Sequence, residues 1–146
     1  MSATDRQGPG WTPRLRLEGK VAVVFGAGQS PGEGLGNGRA AALRFAREGA
    51  RVIAANRSIE SVEETAAMIR AEGGEAIAVR ADVTKEADLV AAITQAKERW
   101  GSLDVLHNNV GVSLAGGDAD LMDVTEEAFD HLYRTNLRGL AFACKH

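Results

Sequence analysis

The apolar run VAVVF, Val21 to Phe25, ends directly on the stretch GAGQSPGEGLGNG, and an alanine-rich helical segment follows. Six of the chain's 17 glycines lie between Gly26 and Gly38. That is a local excess in a chain already above the usual ~7% glycine. A short β-branched run reads as a buried strand. Glycines placed directly after it let the backbone turn sharply and let another group approach it closely. Small residues at Gly38, Ala40 and Ala41 then permit a helix to pack tightly on that strand. Few folds need strand, bare-backbone loop and helix in immediate succession.

The rest of the chain repeats the alternation. Further apolar runs are RVIAA (Arg51 to Ala55), AIAVR (Ala76 to Arg80) and LDVLH (Leu103 to His107). Helical stretches are expected between them. Arg39 to Glu48 stops at Gly49, a favourable C-cap. Ile59 to Ala71 has Ser61 and Glu64 as a capping box, with Val62, Ala66 and Ile69 sharing a face and Gly73-Gly74 as the stop. Thr84 is placed to cap a third helix, with Leu89, Val90, Ile93 and Ala96 inward and Gly101 at its end. Thr125 opens a fourth that still runs at His146, with Phe129, Leu132, Asn136, Leu137 and Leu140 near one face. The order βαβαβαβα with short connections predicts an α/β, Rossmann-type doubly wound parallel sheet with helices on both faces. It ends after the fourth strand and its following helix. Residues 1–16, with Gly8, Pro9, Gly10 and Pro13 and no apolar period, read as a flexible arm, and 17–146 as a partial domain.

At the start of the first helix the glycines expose free N–H groups and the positive end of the helix dipole, an arrangement suited to a diphosphate. Other readings stand beside this one. The stretch is also compatible with a plain Gly/Pro/Ser turn. Glu33-Gly34-Leu35-Gly36-Asn37-Gly38 spells the acidic-G-x-G-x-G of a methyl-donor (S-adenosylmethionine) site, although it begins well after Phe25 and the second strand ends on Asn56-Arg57 rather than an acid. A P-loop is not matched, since no glycine is followed at the right spacing by Gly-Lys-Ser or Gly-Lys-Thr.

Charge and cysteine content narrow the function further. Twenty acids against 17 bases give a net charge of −3, so nucleic acid and anionic membrane surfaces are not expected partners. No apolar run approaches ~18 residues, so no membrane-spanning helix is expected. The N-terminal stretch lacks the apolar core of a secretory signal. The single cysteine, Cys144, offers neither a disulfide nor a thiolate cluster, and a reducing cytoplasmic location is expected. His107, His131 and His146 have no triad spacing and no carboxylate cluster beside them, so no metal site is expected and packing or solvent is their reading.

From about Leu17 to its last residue the chain resembles the short-chain dehydrogenase/reductase family. RLEGKVAVV leads into the first strand, and the glycine loop is a stretched T-G-x-x-x-G-x-G. Asp82-Val83 follows the third strand, Asn108-Asn109-Val110-Gly111 follows the fourth as a form of N-N-A-G, and Asn136-Leu137-Arg138-Gly139 lies in the last helix. The resemblance implies that Gly26, Gly28, Gln29, Gly36, Asn37 and Gly38 surround a cofactor diphosphate. It implies that Asp82 accepts from an adenine amino group while Val83 packs on the ring, and that Asn109, Val110 and Gly111 line the adenosine ribose and the path to nicotinamide. Asp82 also suits a helix-capping role with Thr84, and Asn108 and Asn109 suit ties between neighbouring strands. Asn56, Arg57 and Ser58 offer a cation and neutral donors where a carboxylate would select a ribose diol, so NADP(H) is favoured over NAD(H). Arg57 as a solvated cation and Ser58 as a helix cap are the plainer alternatives.

Departures from the family pattern are specific. Phe25 stands where a loop-bracing threonine is expected, the loop from Gly26 to Gly36 is six residues longer than the family spacing, and Val110 replaces alanine. The family's catalytic tyrosine has a lysine four positions later, whereas Tyr133 is followed at that distance by Leu137 and precedes Asn136. Asn136 is therefore the catalytic candidate present, with the serine, tyrosine and lysine missing. The expectation is the cofactor-binding half of an NAD(P)-dependent oxidoreductase acting on an alcohol or carbonyl, a fragment inactive by itself. A non-catalytic dinucleotide sensor is the alternative. By the same resemblance the complete protein is a dimer or tetramer, with the last helix at the contact.

Overall fold

A computed structural model describes residues 15–29, 32, 34–113 and 119–146. Four parallel strands form one sheet: β1 (Val21–Phe25), β2 (Arg51–Asn56), β3 (Ala76–Arg80) and β4 (Val105–Asn108), in the order β3-β2-β1-β4. Val23 lies opposite Ile53 on one side and Leu106 on the other, and Ile53 lies opposite Ile77. Both faces are covered, which is why β1 and β2 read as continuous apolar runs rather than alternating ones. On one face α1 (Asn37–Arg47) and α2 (Ile59–Ala71) bring Leu43, Val62, Ala66 and Ile69 onto Ala22, Val24, Val52 and Ala54. On the other, α3 (Glu86–Trp100) brings Leu89, Ala92, Ile93 and Ala96 onto Val21, Val23, Phe25 and Ile53. The doubly wound sheet is the expected fold.

The fourth strand begins later than its apolar run suggests. Asp104 N–H donates to the Val21 carbonyl at 2.9 Å, and its carboxylate accepts from Val21 N–H at 2.9 Å and from the Ser102 hydroxyl at 3.0 Å. Leu103-Asp104 is thus a capped turn into β4, and pairing carries on to Asn108 instead of stopping at His107.

Two predicted caps are reassigned. Ser58, not Ser61, is the N-cap of α2, accepting from Ser61 N–H at 3.2 Å. The Ser61 hydroxyl is drawn to Gln29, whose N–H it accepts at 2.6 Å, and Glu64 is drawn to Arg39 at 2.9 Å. Thr84 does not cap α3 either, because its hydroxyl donates backwards to Asp82 Oδ1 at 2.7 Å and the N-cap position falls on Lys85. Along α3, Ala92 is buried with Leu89, Ile93 and Ala96, while Val90 is half-buried. The glycine stops at Gly49, Gly73 and Gly101 stand as expected, all with positive φ. Thr125 caps the last helical segment, accepting from Ala128 N–H at 3.2 Å.

That last segment is not one regular helix. α4 (Glu126–Leu132) passes through π-helical turns at Tyr133–Arg138 into α5 (Gly139–Lys145). The large apolar face predicted for it does not meet the sheet: Phe129 is 62% exposed, Leu137 57% and Leu140 45%. Leu132 is half-buried and Asn136 exposed. Instead Thr135, Gly139 and Ala143, spaced four apart, are the buried positions. Small residues let the helix come close: a Cβ added to Gly139 would sit 2.7 Å from the Val83 carbonyl oxygen.

The arm expected over 1–16 lies outside the described residues as far as residue 14. At Arg16 the backbone is already tied, with its N–H donating to Glu48 Oε2 at 3.1 Å.

Candidate functional site

The carboxyl ends of all four strands open into one cleft of about 650 Å³, within the usual size of a ligand site. Its floor is the glycine loop. Gly26 has φ +82°, a conformation that side-chain-bearing residues rarely adopt, and its N–H donates to Ala55 O at 2.8 Å. Gly38, in the first turn of α1, lies so close to Gly26 that a Cβ there would collide with the Gly26 carbonyl and come within 2.7 Å of Asn109 Nδ2. At Gly28 a Cβ would collide with the Asn56 side chain and come within 2.7 Å of the Ser61 hydroxyl. Bare backbone therefore forms the surface where β1 and α1 meet. The α1 N-terminus has Gly36 as a cap without a side chain and no acidic residue in its first turn. The N–H groups of Asn37, Gly38 and Arg39 have no carbonyl four residues back in the helix, so the positive end of the dipole faces the cleft. Part of the loop, Ser30, Pro31 and Glu33, lies outside the described residues, and with it the acid of the methyl-donor-like run.

The β2 and β3 ends form one wall. Asn56 Oδ1 accepts from Arg57 N–H at 2.9 Å, and both residues line the cleft. Asp82 Oδ1 accepts from the Thr84 N–H at 3.0 Å and the Thr84 hydroxyl at 2.7 Å, so it ties the segment after β3 rather than capping α3, whose N-cap position falls on Lys85. Burial by itself would raise the Asp82 carboxyl. The Thr84 hydroxyl and N–H, helped by the positive charges of Arg57 and Lys85, outweigh it and hold the group below the ordinary carboxylate value. Asp82 is thus an anionic acceptor at neutral pH. Ser58 does not line the cleft, since its hydroxyl is spent on the α2 cap and on Glu60 Oε2 at 2.9 Å.

The β4 end and the last helix form the other wall. Asn109 N–H donates to Phe25 O at 3.0 Å and its side chain to Gly26 O at 3.3 Å, tying the two loops together. Val110 and Gly111 follow along the cleft. Asn136 stands behind them rather than in the cleft: its Oδ1 accepts from Val112 N–H at 2.8 Å and its Nδ2 donates to Val112 O at 2.7 Å. Both ends of its carboxamide hold that one residue. His107, read as a packing residue, meets Phe45 edge-on with ring centroids 5.8 Å apart.

Of the sequence-named residues, Gly26, Gly28, Gly36, Asn37, Gly38, Asn56, Arg57, Asp82, Val83, Asn109, Val110 and Gly111 share this cleft, whereas Gln29, Ser58 and Asn136 stand outside its lining. Sequence reading missed Ala81, Thr84, Val112, His131, Arg134 and Thr135. The last three carry a signal, since 131 and 135 lie four apart beside Asn136 on a predicted helix. Thr135 is 6% exposed, and its hydroxyl has no hydrogen-bond partner among the described residues. An orphaned hydroxyl in a cleft wall costs free energy that a polar ligand can recover. With the glycine cradle, the dipole end and the Asp82 acceptor, it makes the site fit an extended, anionic ligand that carries hydrogen-bond donors. Among the described residues no three His, Cys, Asp or Glu side chains gather as a metal site, and no helix is long and apolar enough to cross a membrane.

Comparison with known proteins agrees with this geometry. The family model described as short chain dehydrogenase matches residues 20–146. A trihydroxynaphthalene reductase from Pestalotiopsis fici is 38% identical over 140 residues, covering 94% of this chain and 46% of the relative. A sorbitol dehydrogenase from Cereibacter sphaeroides is 36% identical over 128 residues, covering 88% and 45%. Among solved structures, a short chain dehydrogenase from Mycobacterium smegmatis superposes with a TM-score of 0.80 at 33% identity, covering 90% of this chain and 51% of that one. A hydroxysteroid dehydrogenase from Escherichia coli gives 0.78 at 31%, covering 90% and 52%. The chain spans about half the length of the relatives it matches.

Proposed function

This chain belongs to the short-chain dehydrogenase family, a family of oxidoreductases, and from that premise we propose that it forms the dinucleotide-binding part of an NAD(P)-dependent enzyme acting on an alcohol or carbonyl. The carrying observation is the contact of Gly26 and Gly38, which leaves the α1 N-terminus open to a diphosphate. When bound, the nicotinamide cofactor supplies the hydride acceptor or donor for interconverting CH–OH and C=O. Gly26, Gly28, Gly36, Asn37 and Gly38 surround the diphosphate, with the N–H groups of Asn37 and Gly38 facing it. Asp82 accepts from the adenine amino group, with Val83 against the ring. Asn109, Val110 and Gly111 line the ribose and the way to the nicotinamide. Asn136 holds Val112 and so fixes the loop on that side of the cleft, a positioning role that its two bonds support.

The acid–base chemistry of the whole protein needs a tyrosine–lysine pair, and Leu137 stands where Tyr133 would need its lysine. These 146 residues by themselves therefore bind cofactor without turning over substrate. The names of the relatives, reductases of hydroxynaphthalenes and dehydrogenases of sorbitol and hydroxysteroids, fit an alcohol or ketone for the complete protein. The exposed face of Phe129, Tyr133, Leu137 and Leu140 is its homo-oligomer contact. A cytoplasmic location is consistent with the single, unpaired Cys144.

NADP(H) is preferred to NAD(H), because Arg57 lines the cleft next to Asn56 at the end of β2 and can pair with a 2′-phosphate. Fluorescence titration of both reduced cofactors tests both levels. NADPH is expected to bind about tenfold more tightly than NADH, and Arg57→Asp to reverse that order. Binding of neither cofactor contradicts the functional reading. An unchanged NADPH preference in Arg57→Asp contradicts the cofactor assignment alone.

A further inference from the structure

The chain runs ten positions from Gly26 to Gly36, and the described residues of that stretch form neither strand nor helix. Longer loops cost more to fix, and every residue ordered on ligand binding lowers affinity. We propose that Gln29 is a brace: it holds Gly34 and Gly36 in place at the entry to α1 for the diphosphate, and is a positioning residue rather than a ligand contact. The inference rests on the dinucleotide reading and adds how the loop is made ready.

Gln29 is fixed from two directions. Its N–H donates to the Ser61 hydroxyl at 2.6 Å, and the same hydroxyl reaches its carbonyl at 3.3 Å, which anchors the loop to α2. Its side chain reaches Gly34 and Gly36: Nε2 donates to Gly34 O at 3.1 Å and Oε1 accepts from Gly36 N–H at 2.8 Å. A carboxamide is suited to this pair of bonds, because it alone among similar side chains offers one donor and one acceptor at that reach. A carboxylate has no hydrogen for Gly34 O, and an ammonium has no lone pair for Gly36 N–H.

The position of the second bond decides between a brace and a plug. Were Oε1 held by the N–H groups of Asn37, Gly38 or Arg39, it would compete with an anion for the dipole end. It takes Gly36 N–H instead, the cap residue before the first turn of α1. The first-turn N–H groups stay available while the loop leading to them is held. Gln29 itself does not line the cleft. Pre-organisation of this kind raises affinity by lowering the ordering cost, without a new contact.

The test compares NADPH and adenosine binding in the unaltered chain, in Q29M, which keeps the length and removes the bonds to Gly34 and Gly36, and in Q29N, which keeps the carboxamide but shortens its reach. NADPH affinity is measured by fluorescence, and adenosine binding by ligand-observed NMR. Loss of two neutral hydrogen bonds is expected to weaken NADPH about tenfold in Q29M. Q29N should lose a similar amount, and adenosine, which lacks the diphosphate, should bind all three alike. NADPH binding by Q29M or Q29N equal to that of the unaltered chain overturns the brace, and either variant suffices if the other does not fold. Equal losses for NADPH and adenosine also overturn it, because they mark a general structural role. If the unaltered chain binds neither NADPH nor NADH, the functional reading fails first and the brace falls with it.

Discussion

Two sides of the cleft, the glycine floor and the last helix, are built on opposite rules. Around β1 and α1 the glycines line the cleft, with Gly26 and Gly38 pressed to contact, while Val21, Val23 and Phe25 are buried in the core. Along the last helix the small residues face the sheet and the large ones face outward. Thr135, Gly139 and Ala143 are buried, and Phe129, Tyr133, Leu137 and Leu140 are exposed. Both sides thus depend on close backbone approach, but the second leaves an apolar face unused by the sheet. Apolar periodicity alone marks a core only where nothing else competes for that face.

The comparison can be broken at several points. The largest effect is expected at Gly38, where an added methyl meets the backbone carbonyl of Gly26 and cannot be relieved by a flexible side chain. Gly38→Ala should cost about 3 kcal/mol in urea unfolding and remove NADPH binding. An unaltered midpoint would show that β1 and α1 are not in contact there. Gly139→Ala tests the other side. The methyl crowds Val83 O, but helix propensity returns about 1 kcal/mol, so a net loss near 1 kcal/mol is expected. Leu137→Ser completes the pair and should change stability by less than about 0.5 kcal/mol, because the side chain is exposed. If Leu137→Ser costs more than Gly139→Ala, the assignment of inward and outward faces is wrong.

Much of this was legible in the sequence, for identifiable reasons. Strands such as VAVVF and RVIAA are apolar throughout because both faces are covered, and that pattern survives without any tertiary information. The glycine loop was legible because Gly26 and Gly38 answer a backbone requirement that no other residue meets. Less was visible where side chains choose between partners. Ser61 and Glu64 match a capping box, yet Gln29 and Arg39 claim them through contacts 32 and 25 residues away in sequence. Thr84 matches an N-cap, yet Asp82 captures its hydroxyl. The last helix misled for a third reason. Its π-helical turns and its buried Thr135, Gly139 and Ala143 set which face meets the sheet, and a count of large apolar residues gives them no weight. Gln29 was named with the diphosphate contacts, and only the placement of its carboxamide separates a brace from a ligand.

The most direct test of the central claim is to follow backbone amide resonances while NADPH is added. The account predicts saturable shifts at Gly26, Gly28, Asn37 and Gly38, with further shifts at Arg57, Asp82 and Gly111. It predicts none along the outer surface of α3, at Ala87, Ala91 and Glu98. Shifts confined to α3 or to the exposed face around Leu137, or no saturable shift at Gly38, would contradict dinucleotide binding at the glycine loop.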